Sequence, residues 1–321
     1  TRNLFYLESL ETLRHIFEQS GLEARIASLR EDLLEPMEIE LPSGKSCRLE
    51  PLTRQGNRVA VDDFSPCLVL LNNDLSAGRP EILEGLEQQV IPPLSAGWSD
   101  RKKSDHFLHY HDVAKELAAK IDIDPWLISP MSLQCGQVDF RDKNGNECLA
   151  KNVENMLSSI QNKYDEYGID KDPFVVVKAD SGTYGMGIMT VKSAEEISTL
   201  NRKQRNKMSS AKEGLVVSNV LVQEGVYTFE TIGEEAAVAE PVVYMMDHFV
   251  VGGFYRVHTG RDVDENLNAA GMHFEPLAFV QPCNTPNKLE EPDAEPNRFY
   301  AYGVIARLAL LAAARELAQI S

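Results

Sequence analysis

The chain has 321 residues, of which 43% are hydrophobic and 25% charged, values ordinary for a globular protein with a full hydrophobic core. Its 32 basic and 49 acidic residues give a net charge of −17, which disfavours nucleic acid and anionic membranes as partners. No hydrophobic run is long enough to span a membrane and no leader segment opens the chain, so we expect a cytoplasmic enzyme or binding protein. The five cysteines are widely spaced without a Cys-x-x-Cys pair, which argues against a zinc site or disulfide framework.

The first part of the chain, residues 1–97, predicts an N-terminal α/β domain. Hydrophobic residues at helical spacing indicate helices at residues 7–18 and 82–90. Hydrophobic runs indicate strands at residues 24–29, 37–41, 47–52 and 67–71, the last of them buried on both faces. Prolines and a glycine in residues 92–97 break the pattern, so we expect a domain boundary there.

The rest of the chain predicts two further parts, residues 98–226 and 227–321. Helices are expected from an N-cap at Ser104 or Asp105 to residue 120, and at residues 149–167, 193–200 and 302–320, the last packing on a sheet. Strands are expected at residues 174–177, 187–191, 220–223, 236–246 and 249–257. Ser193 and Glu196 fit a capping box, whereas the basic residues 201–212 indicate a surface connection.

One segment, PFVVVKADSGTYGMGIMTV at residues 173–191, joins a buried strand, a lysine and a glycine-rich loop. No helix follows the glycines, which excludes a P-loop and a dinucleotide fingerprint, and Lys178 precedes the loop, unlike the lysine of protein kinases. Glycines let backbone N–H groups approach phosphate oxygens, and a lysine adds a positive charge, so the segment favours ATP binding. The alternative is a plain hairpin whose lysine is solvated.

Three other signals point to bound anions or nucleotide. The basic cluster that contains Lys103 favours a phosphate contact in this acidic chain, with a solvated helix start as the alternative. A strand that ends in Gln223 and Glu224 can offer backbone groups to adenine and a carboxylate to ribose hydroxyls. Arg256 lies among hydrophobic neighbours and needs an anion, which a transferred phosphoryl group or a structural carboxylate would supply.

These motifs, in this order, resemble the ATP-grasp superfamily and most closely its bacterial glutamate-cysteine ligases. The segments that carry the resemblance are KADSGTYGMGIMTV, VLVQEGV, AEPVVYMMD, GGFYRV and ENLNAAGMHFEP, and the likeness runs through most of the chain. The resemblance implies an α/β (α+β) protein with an ATP-grasp fold, a mobile glycine-rich lid subdomain and an N-terminal α/β domain. It also implies ATP-dependent joining of the γ-carboxyl of L-glutamate to L-cysteine, the first step of glutathione synthesis, with Mg²⁺ as a cofactor.

The same resemblance implies roles for individual residues. Lys178 would hold the phosphates, the loop from Ser181 to Gly187 would close over them, and residues 223–226 would bind adenosine. Arg256 and Asn268 would be catalytic, Arg256 by stabilising charge on the phosphoryl group and the tetrahedral oxyanion. The full predicted ATP-binding set is Lys103, Lys178, Ser181, Gly182, Thr183, Tyr184, Gly185, Gly187, Gln223, Glu224 and Val226.

The magnesium ligands depart from the pattern of the superfamily. Most ATP-grasp enzymes carry a Glu-x-Asn strand after the arginine region, whereas here only a hydrophobic helix follows Arg298. Either Glu265 and Asn266, together with Asn268, bind the metal, or the metal strand lies upstream of residue 1.

Two other functions remain open, an ATP-grasp ligase that joins different amino acids and a nucleotide-binding module without catalysis. A complete magnesium set beside Arg256 would favour a ligase. Small-molecule substrates are the expected partners, with no nucleic acid or membrane, and the sequence is compatible with a homo-oligomer.

Overall fold

The computed structural model describes residues 2–136, 138–142, 144–181, 187–209, 217–269, 271–276 and 298–320. The chain forms two compact units, Thr1–Ser99 and Asp100–Ser321. The division at residues 97 and 226 into three parts stays a prediction. No described helix combines the length and the hydrophobicity that crossing a membrane requires.

The first unit is a small α/β structure. Its elements are α1 (Arg2–Gln19), β1 (Ile26–Ser28), β2 (Met37–Glu40), β3 (Ser46–Pro51), β4 (Thr53–Gln55), β5 (Arg58–Ala60), β6 (Leu68–Leu70) and β7 (Gln89–Ile91). Strand β3 lies between β1, which is parallel to it, and β2, which is antiparallel. Leu7 and Leu10 of α1 pack on the buried Ile26, Cys47 and Leu49 of this sheet. The predicted first helix, first strand and hairpin are therefore confirmed.

Two predictions for the first unit are wrong. Strand β6 is not buried on both faces, because β7 is its one partner strand among the described residues and Leu68 is 40% and Leu70 46% exposed. Residues 82–90 are not a helix but a 3₁₀ turn, Glu81–Leu83, followed by β7. Gly85, with φ of +62°, interrupts the helical pattern. Buried Gln88 accepts a hydrogen bond from Val59 N–H (2.6 Å) and donates to Val59 O (2.9 Å), which fixes the chain in an extended form.

The second unit begins with a four-stranded antiparallel sheet, which we call the lysine sheet because Lys178 lies on it. Its elements and neighbours are α2 (Lys103–Ile121), β8 (Ser132–Gly136), α3 (Asn146–Tyr167), β9 (Val175–Ala179), β10 (Ile188–Val191), α4 (Ala194–Ser198), α5 (Arg202–Met208) and β11 (Asn219–Glu224). The strand order is β10-β9-β11-β8. Buried residues of α3, including Leu149, Val153 and Ile160, pack on one face of the sheet, so only the other face can carry a ligand.

A second four-stranded antiparallel sheet, which we call the arginine sheet because it carries Arg256, follows in the chain. It consists of β12 (Thr231–Ile232), β13 (Ala237–Met246), β14 (Phe249–His258) and β15 (His273–Pro276), in that order. The long β13–β14 hairpin confirms the two strands predicted there. Helix α6 (Arg298–Ile320) contacts β13, but its buried Leu308 and Ala312 form their cluster with α2 rather than with a sheet.

Helix ends in the second unit partly follow the sequence. The predicted capping box is confirmed, since Ser193 N–H donates to the Glu196 carboxylate (3.1 Å). The predicted surface connection at residues 201–212 contains a short helix, because Asn201 and Gln204 form another capping box that starts α5. Residues 201–207 are exposed or half-buried, as predicted, and residues 210–212 lie outside the described residues. The N-cap of α2 is Lys102, so the predicted cap at Ser104 or Asp105 is also wrong.

Candidate active site

The open face of the lysine sheet brings Lys178 and Gln223 together. Strands β9 and β11 are antiparallel, with Lys178 opposite Leu221 and Val176 opposite Gln223. Because side chains alternate along a strand, Val175, Val177 and Ala179 enter the core while Lys178 points to the opposite face. There Lys178 Nζ donates a hydrogen bond to Gln223 Oε1. Two of the predicted ATP-binding residues are thus in direct contact.

Lys178 lies in a confined and electrostatically strained position. Its Nζ is 5.0 Å from the ring centre of Phe107, on α2. Burial lowers the pKa of Lys178 to about 8, with a further decrease from Lys103 that Asp180 opposes. A bound anion would stabilise the charged form, so this lysine is suited to phosphate.

Lys103 approaches the same strand from α2. Its Nζ donates to the carbonyl of Ala179 (2.9 Å), and its backbone N–H donates to the carbonyl of Asp180 (2.8 Å). Burial lowers the pKa of Lys103. The structure therefore places a second predicted phosphate ligand at the end of β9, beside the start of the glycine loop.

The start of α2 is held from two sides. On one side, the Asp180 carboxylate accepts hydrogen bonds from the backbone N–H of Ser104 (2.8 Å), from its hydroxyl (2.8 Å) and from Gln134 Nε2 (2.7 Å). This replaces the predicted side-chain cap from Ser104, since an acceptor on another element satisfies the free N–H. On the other side, Glu316 of α6 pairs with Arg101 (2.5 Å) and accepts from His106 (3.3 Å).

The glycine-rich loop is closed at its base. Ala179 N–H donates to Gly187 O (2.9 Å), and Gly187 has φ of +64°, a conformation that favours glycine. Ser181, at the other end of the loop, is exposed. Four predicted ATP-binding residues, Gly182, Thr183, Tyr184 and Gly185, lie outside the described residues.

Glu224 faces away from Lys178, in contrast to its adjacent residue Gln223. Its buried carboxylate accepts from the Trp126 indole (3.0 Å to each oxygen) and from Met131 N–H (2.8 Å). Burial raises the pKa of Glu224 despite these donors. The structure therefore does not place this carboxylate for ribose hydroxyls, because its oxygens lie on the core face of the lysine sheet.

The chain leaves β11 through Gly225 and Val226. Gly225 N–H donates to Phe174 O (2.8 Å), and a Cβ at position 225 would overlap the ring of Phe174. Glycine is thus required by this close approach. Val226 is exposed beyond it.

Arg256 lies on the arginine sheet, directly across from Glu240 of β13. Its Nη1 pairs with Glu240 Oε2 at 3.2 Å, while its buried Nε has no hydrogen-bond partner among the described residues. Burial raises the pKa of Glu240, although Arg256 opposes the shift. Arg256 can therefore bind a structural carboxylate and a ligand anion at once, because Nη1 is paired with Glu240 while Nε–H is unused by the described residues.

The loop with the predicted metal ligands is stabilised by its own residues. Glu265 accepts from Arg261 (2.6 Å) and Asp262 N–H (3.0 Å), two contacts that lower its pKa. Asn266 Oδ1 accepts from the backbone N–H of Asn268 (2.9 Å), whose side chain is exposed. With their oxygens so engaged beside a guanidinium, Glu265 and Asn266 do not fit a magnesium site. The described part of the chain holds no group of three or more His, Cys, Asp or Glu that could hold a metal.

This loop also contacts residues that follow two strands of the lysine sheet. Lys192, just after β10, pairs with Asp264 (2.6 Å), and Thr228 N–H donates to Val263 O (2.9 Å). The predicted catalytic Asn268 is therefore in a loop tied to the strands around the glycine segment. Among the described residues, no hydrogen bond or ion pair joins Asn268 to Arg256 or Lys178, so its role stays a prediction.

Sequence reasoning missed four residues of the lysine-sheet site: Asp180, Ser104, Gln134 and Phe107. Asp180 had a usable signal, because it is two positions after Lys178 and strand alternation puts it on the same face. Ser104, Gln134 and Phe107 reach the site through contacts distant in sequence, which no local pattern reports.

Two comparisons with known proteins point to the same family. A family model, GshA (Glutamate-cysteine ligase), matches residues 1–317. The structure of a protein from Methylobacillus flagellatus KT, named "Putative gamma-glutamylcysteine synthetase", is 60% identical, covers 100% of this chain and 75% of that chain, and has a TM-score of 0.89. D-alanyl-alanine synthetase A from Vibrio cholerae O1 biovar eltor str. N16961 is 14% identical over 81% of this chain and 66% of that chain, with a TM-score of only 0.33. None of the curated proteins matches.

Proposed function

Because the chain belongs to the glutamate-cysteine ligase family and so joins glutamate to cysteine, we propose that ATP drives this joining through an acyl phosphate on the γ-carboxyl of glutamate. A carboxylate does not react with an amine at neutral pH, since its carbon is a poor electrophile. Transfer of the γ-phosphoryl group of ATP to a carboxylate oxygen releases ADP and forms a reactive acyl phosphate. The cysteine amine then attacks the carbonyl carbon, and phosphate leaves.

The convergence of Lys103 and Lys178 at the base of the glycine loop carries this proposal. Burial lowers the pKa of both lysines, and Lys103 lowers that of Lys178 further, so two ammonium groups are unfavourable here in the free protein. The negative oxygens of a triphosphate would relieve that repulsion. We assign both lysines to the ATP phosphates, and the backbone from Ser181 to Gly187 to the loop that covers them.

The adenosine part is assigned to the end of β11. Gln223 shares a face with Lys178, and the exposed chain at Val226 continues from it. We propose that Gln223 and the backbone of residues 224–226 bind adenosine, with no role for the Glu224 carboxylate. This arrangement keeps the base and the phosphates on one face of the lysine sheet.

Arg256 is assigned to the reacting centre. Its buried Nε–H has no acceptor in the part of the chain that the structure describes, and a donor of this kind gains most from an oxyanion. We propose that Arg256 stabilises charge on the transferred phosphoryl group and on the tetrahedral intermediate, with Glu240 orienting its guanidinium. The ATP-grasp fold, with a glycine-rich lid, is part of the same proposal.

Magnesium is expected with ATP in this class of reaction, where it neutralises phosphate charge. Since the oxygens of Glu265 and Asn266 are already engaged, no step is assigned to the metal here. The residues that would hold it stay a prediction. A cytoplasmic location and homo-oligomer formation likewise remain proposals.

The direct test is ADP formation by the purified chain with Mg-ATP and glutamate, with and without cysteine, together with mass spectrometry of the product. We expect ADP release that requires both amino acids and a γ-linked dipeptide. Lys151→Met, which removes an exposed lysine of α3, is the matched control for Lys178→Met. ATP turnover that is equal without the amino acids would contradict the proposal.

A further inference from the structure

One buried charge in the second unit has no role in the proposed reaction. Asp180 follows β9 directly, is 1% exposed, and lies two positions after Lys178. A buried carboxylate is costly unless donors satisfy its oxygens. Here Ser104 and Gln134, from α2 and β8, supply three donors at 2.7–2.8 Å. These three hydrogen bonds fix the position of the Asp180 carboxylate.

These contacts fix the position of Lys103. The Asp180 carboxylate accepts a hydrogen bond from Ser104 N–H, and the Asp180 main-chain carbonyl accepts one from Lys103 N–H (2.8 Å). Lys103 Nζ then reaches the carbonyl of Ala179 (2.9 Å). Without the Asp180 carboxylate, the Ser104 N–H and hydroxyl would lose their acceptor, and the first turn of α2 would lose its attachment to β9.

We propose that Asp180 is a positioning residue for the ATP phosphates, one that binds the first turn of α2 to the end of β9 and thereby holds Lys103 beside Lys178. The inference rests on the proposed nucleotide role of the two lysines. Asp180 itself does not touch the nucleotide, since its oxygens are occupied by protein donors. Its effect is transmitted through the geometry and the charge of the lysine pair.

The charges around Lys178 give this inference an electrostatic signature. From α2 it faces Lys103, and from the end of β9 it faces Asp180, while β11 and β8 contribute the uncharged Gln223 and Gln134. Burial lowers the pKa of both lysines, and Asp180 acts in the opposite direction on each. Removing its charge must therefore make both lysines lose their protons at lower pH.

The test compares Asp180→Asn, which keeps the shape and removes the charge, with Ser104→Ala, which keeps the charge and removes one hydrogen bond. Lysine modification by acetic anhydride is followed by mass spectrometry over a range of pH, without nucleotide. In Asp180→Asn we expect the midpoint for Lys178 to fall by roughly half to one pH unit. In Ser104→Ala we expect that midpoint to stay unchanged, while Lys103 is modified about fivefold faster at fixed pH because α2 is less firmly attached.

An unchanged midpoint in Asp180→Asn would overturn the proposal, and so would modification of Lys103 at the unaltered rate in both variants. The midpoint reports the charge that Asp180 presents to the lysine pair, whereas the Lys103 rate reports the attachment of α2 to β9. If Asp180→Asn does not fold, Ser104→Ala decides alone, and an unchanged rate at Lys103 overturns the proposal. Protection of both lysines by Mg-ATP in the unmodified sequence tests the nucleotide role separately. Faster modification of Lys103 in the variants without such protection would support Asp180 as the positioning residue of the lysine pair and reject the phosphate assignment.

Discussion

The two four-stranded sheets of the second unit differ in how firmly hydrogen bonds hold their charged side chains. At the lysine sheet, Asp180 is fully buried, Lys178 and Lys103 are partly buried, and hydrogen bonds to neighbouring elements hold all three. On the arginine sheet, the Arg256 and Glu240 side chains are 28% and 33% exposed, and the hairpin leaves Tyr244 56% and Met246 70% exposed. A site that binds a large anion benefits from fixed charges, whereas a site where bonds change must admit the reacting groups. The difference suggests binding on the first sheet and chemistry on the second.

The sharpest test of this division is Arg256→Lys. A lysine keeps the charge but loses the buried Nε–H and the planar fork, so we expect kcat to fall roughly 100- to 1000-fold with little change in the KM for ATP. Steady-state kinetics measure both constants. Arg315→Lys, in an exposed ion pair with Glu116, is the control and should behave as the unmodified chain does. A change in the KM for ATP alone would place Arg256 in the nucleotide site instead.

The complementary change is Lys178→Met. Loss of a charged hydrogen-bond donor to phosphate should weaken Mg-ATP binding roughly 10- to 100-fold. Isothermal titration with Mg-ATP measures this effect, and Lys151→Met should bind normally. Equal affinity in Lys178→Met and the unmodified chain would remove the lysine sheet from nucleotide binding.

Gly225→Ala tests the packing that supports the lysine sheet. Its added methyl group meets the ring of Phe174, so we expect a loss of about 1–3 kcal/mol in the free energy of unfolding. Chemical denaturation measures the loss. Phe174→Leu combined with Gly225→Ala should recover part of it, and full additivity of the two changes would show that the ring is not the cause.

The pH dependence of nucleotide binding follows from the pKa of Lys178, about 8 against an ordinary value of 10.5. Between these two values the unfolded chain keeps a lysine proton that the folded chain has lost. The free energy of unfolding of the nucleotide-free protein therefore rises with pH in this range. The same deprotonation removes a positive charge from the site. We expect Mg-ATP affinity to fall up to about tenfold from pH 7 to pH 9. Lys178→Arg, which stays charged, should flatten the profile, and a flat profile in the unmodified chain would argue against this role.

The smallest effect is expected for Glu240→Gln. The pair with Arg256 is partly exposed, so its loss should change the free energy of unfolding by less than about 1 kcal/mol. Thermal unfolding checks this, with Glu116→Gln as the exposed control on α2. A loss several times larger would mean that the arginine sheet fixes its charges as firmly as the lysine sheet does.

Local patterns predicted much of the second unit. The strand that ends at Lys178, the β13–β14 hairpin and the Ser193 capping box follow from residues close together in sequence. Strand alternation also contained a signal that went unused, because Gln223 and Glu224 are adjacent and must face opposite sides of β11. If Gln223 shares a face with Lys178, the Glu224 carboxylate belongs to the core.

Contacts between distant residues set the limit of what could be predicted. The cap of α2 comes from Asp180, 76 positions away from Ser104, and β7 replaces a helix because Gln88 binds Val59, 29 positions away. Neither partner is marked by composition or spacing. Resemblance alone gave the roles of Asn268, Glu265 and Asn266. The contacts of these residues within one loop do not test the catalytic role of Asn268.

The ion pair between Arg101 and Glu316 has a consequence for the order in which the protein forms. The two residues are 215 positions apart, yet their contact holds the beginning of the helix that carries Lys103. During synthesis, α2 leaves the ribosome long before α6, so its first turn must wait for a distant helix before it is held from both sides. We expect ribosome-bound chains that stop before residue 298 to remain sensitive to protease around residues 100–106. Resistance at that stage would mean that Asp180 alone completes the attachment.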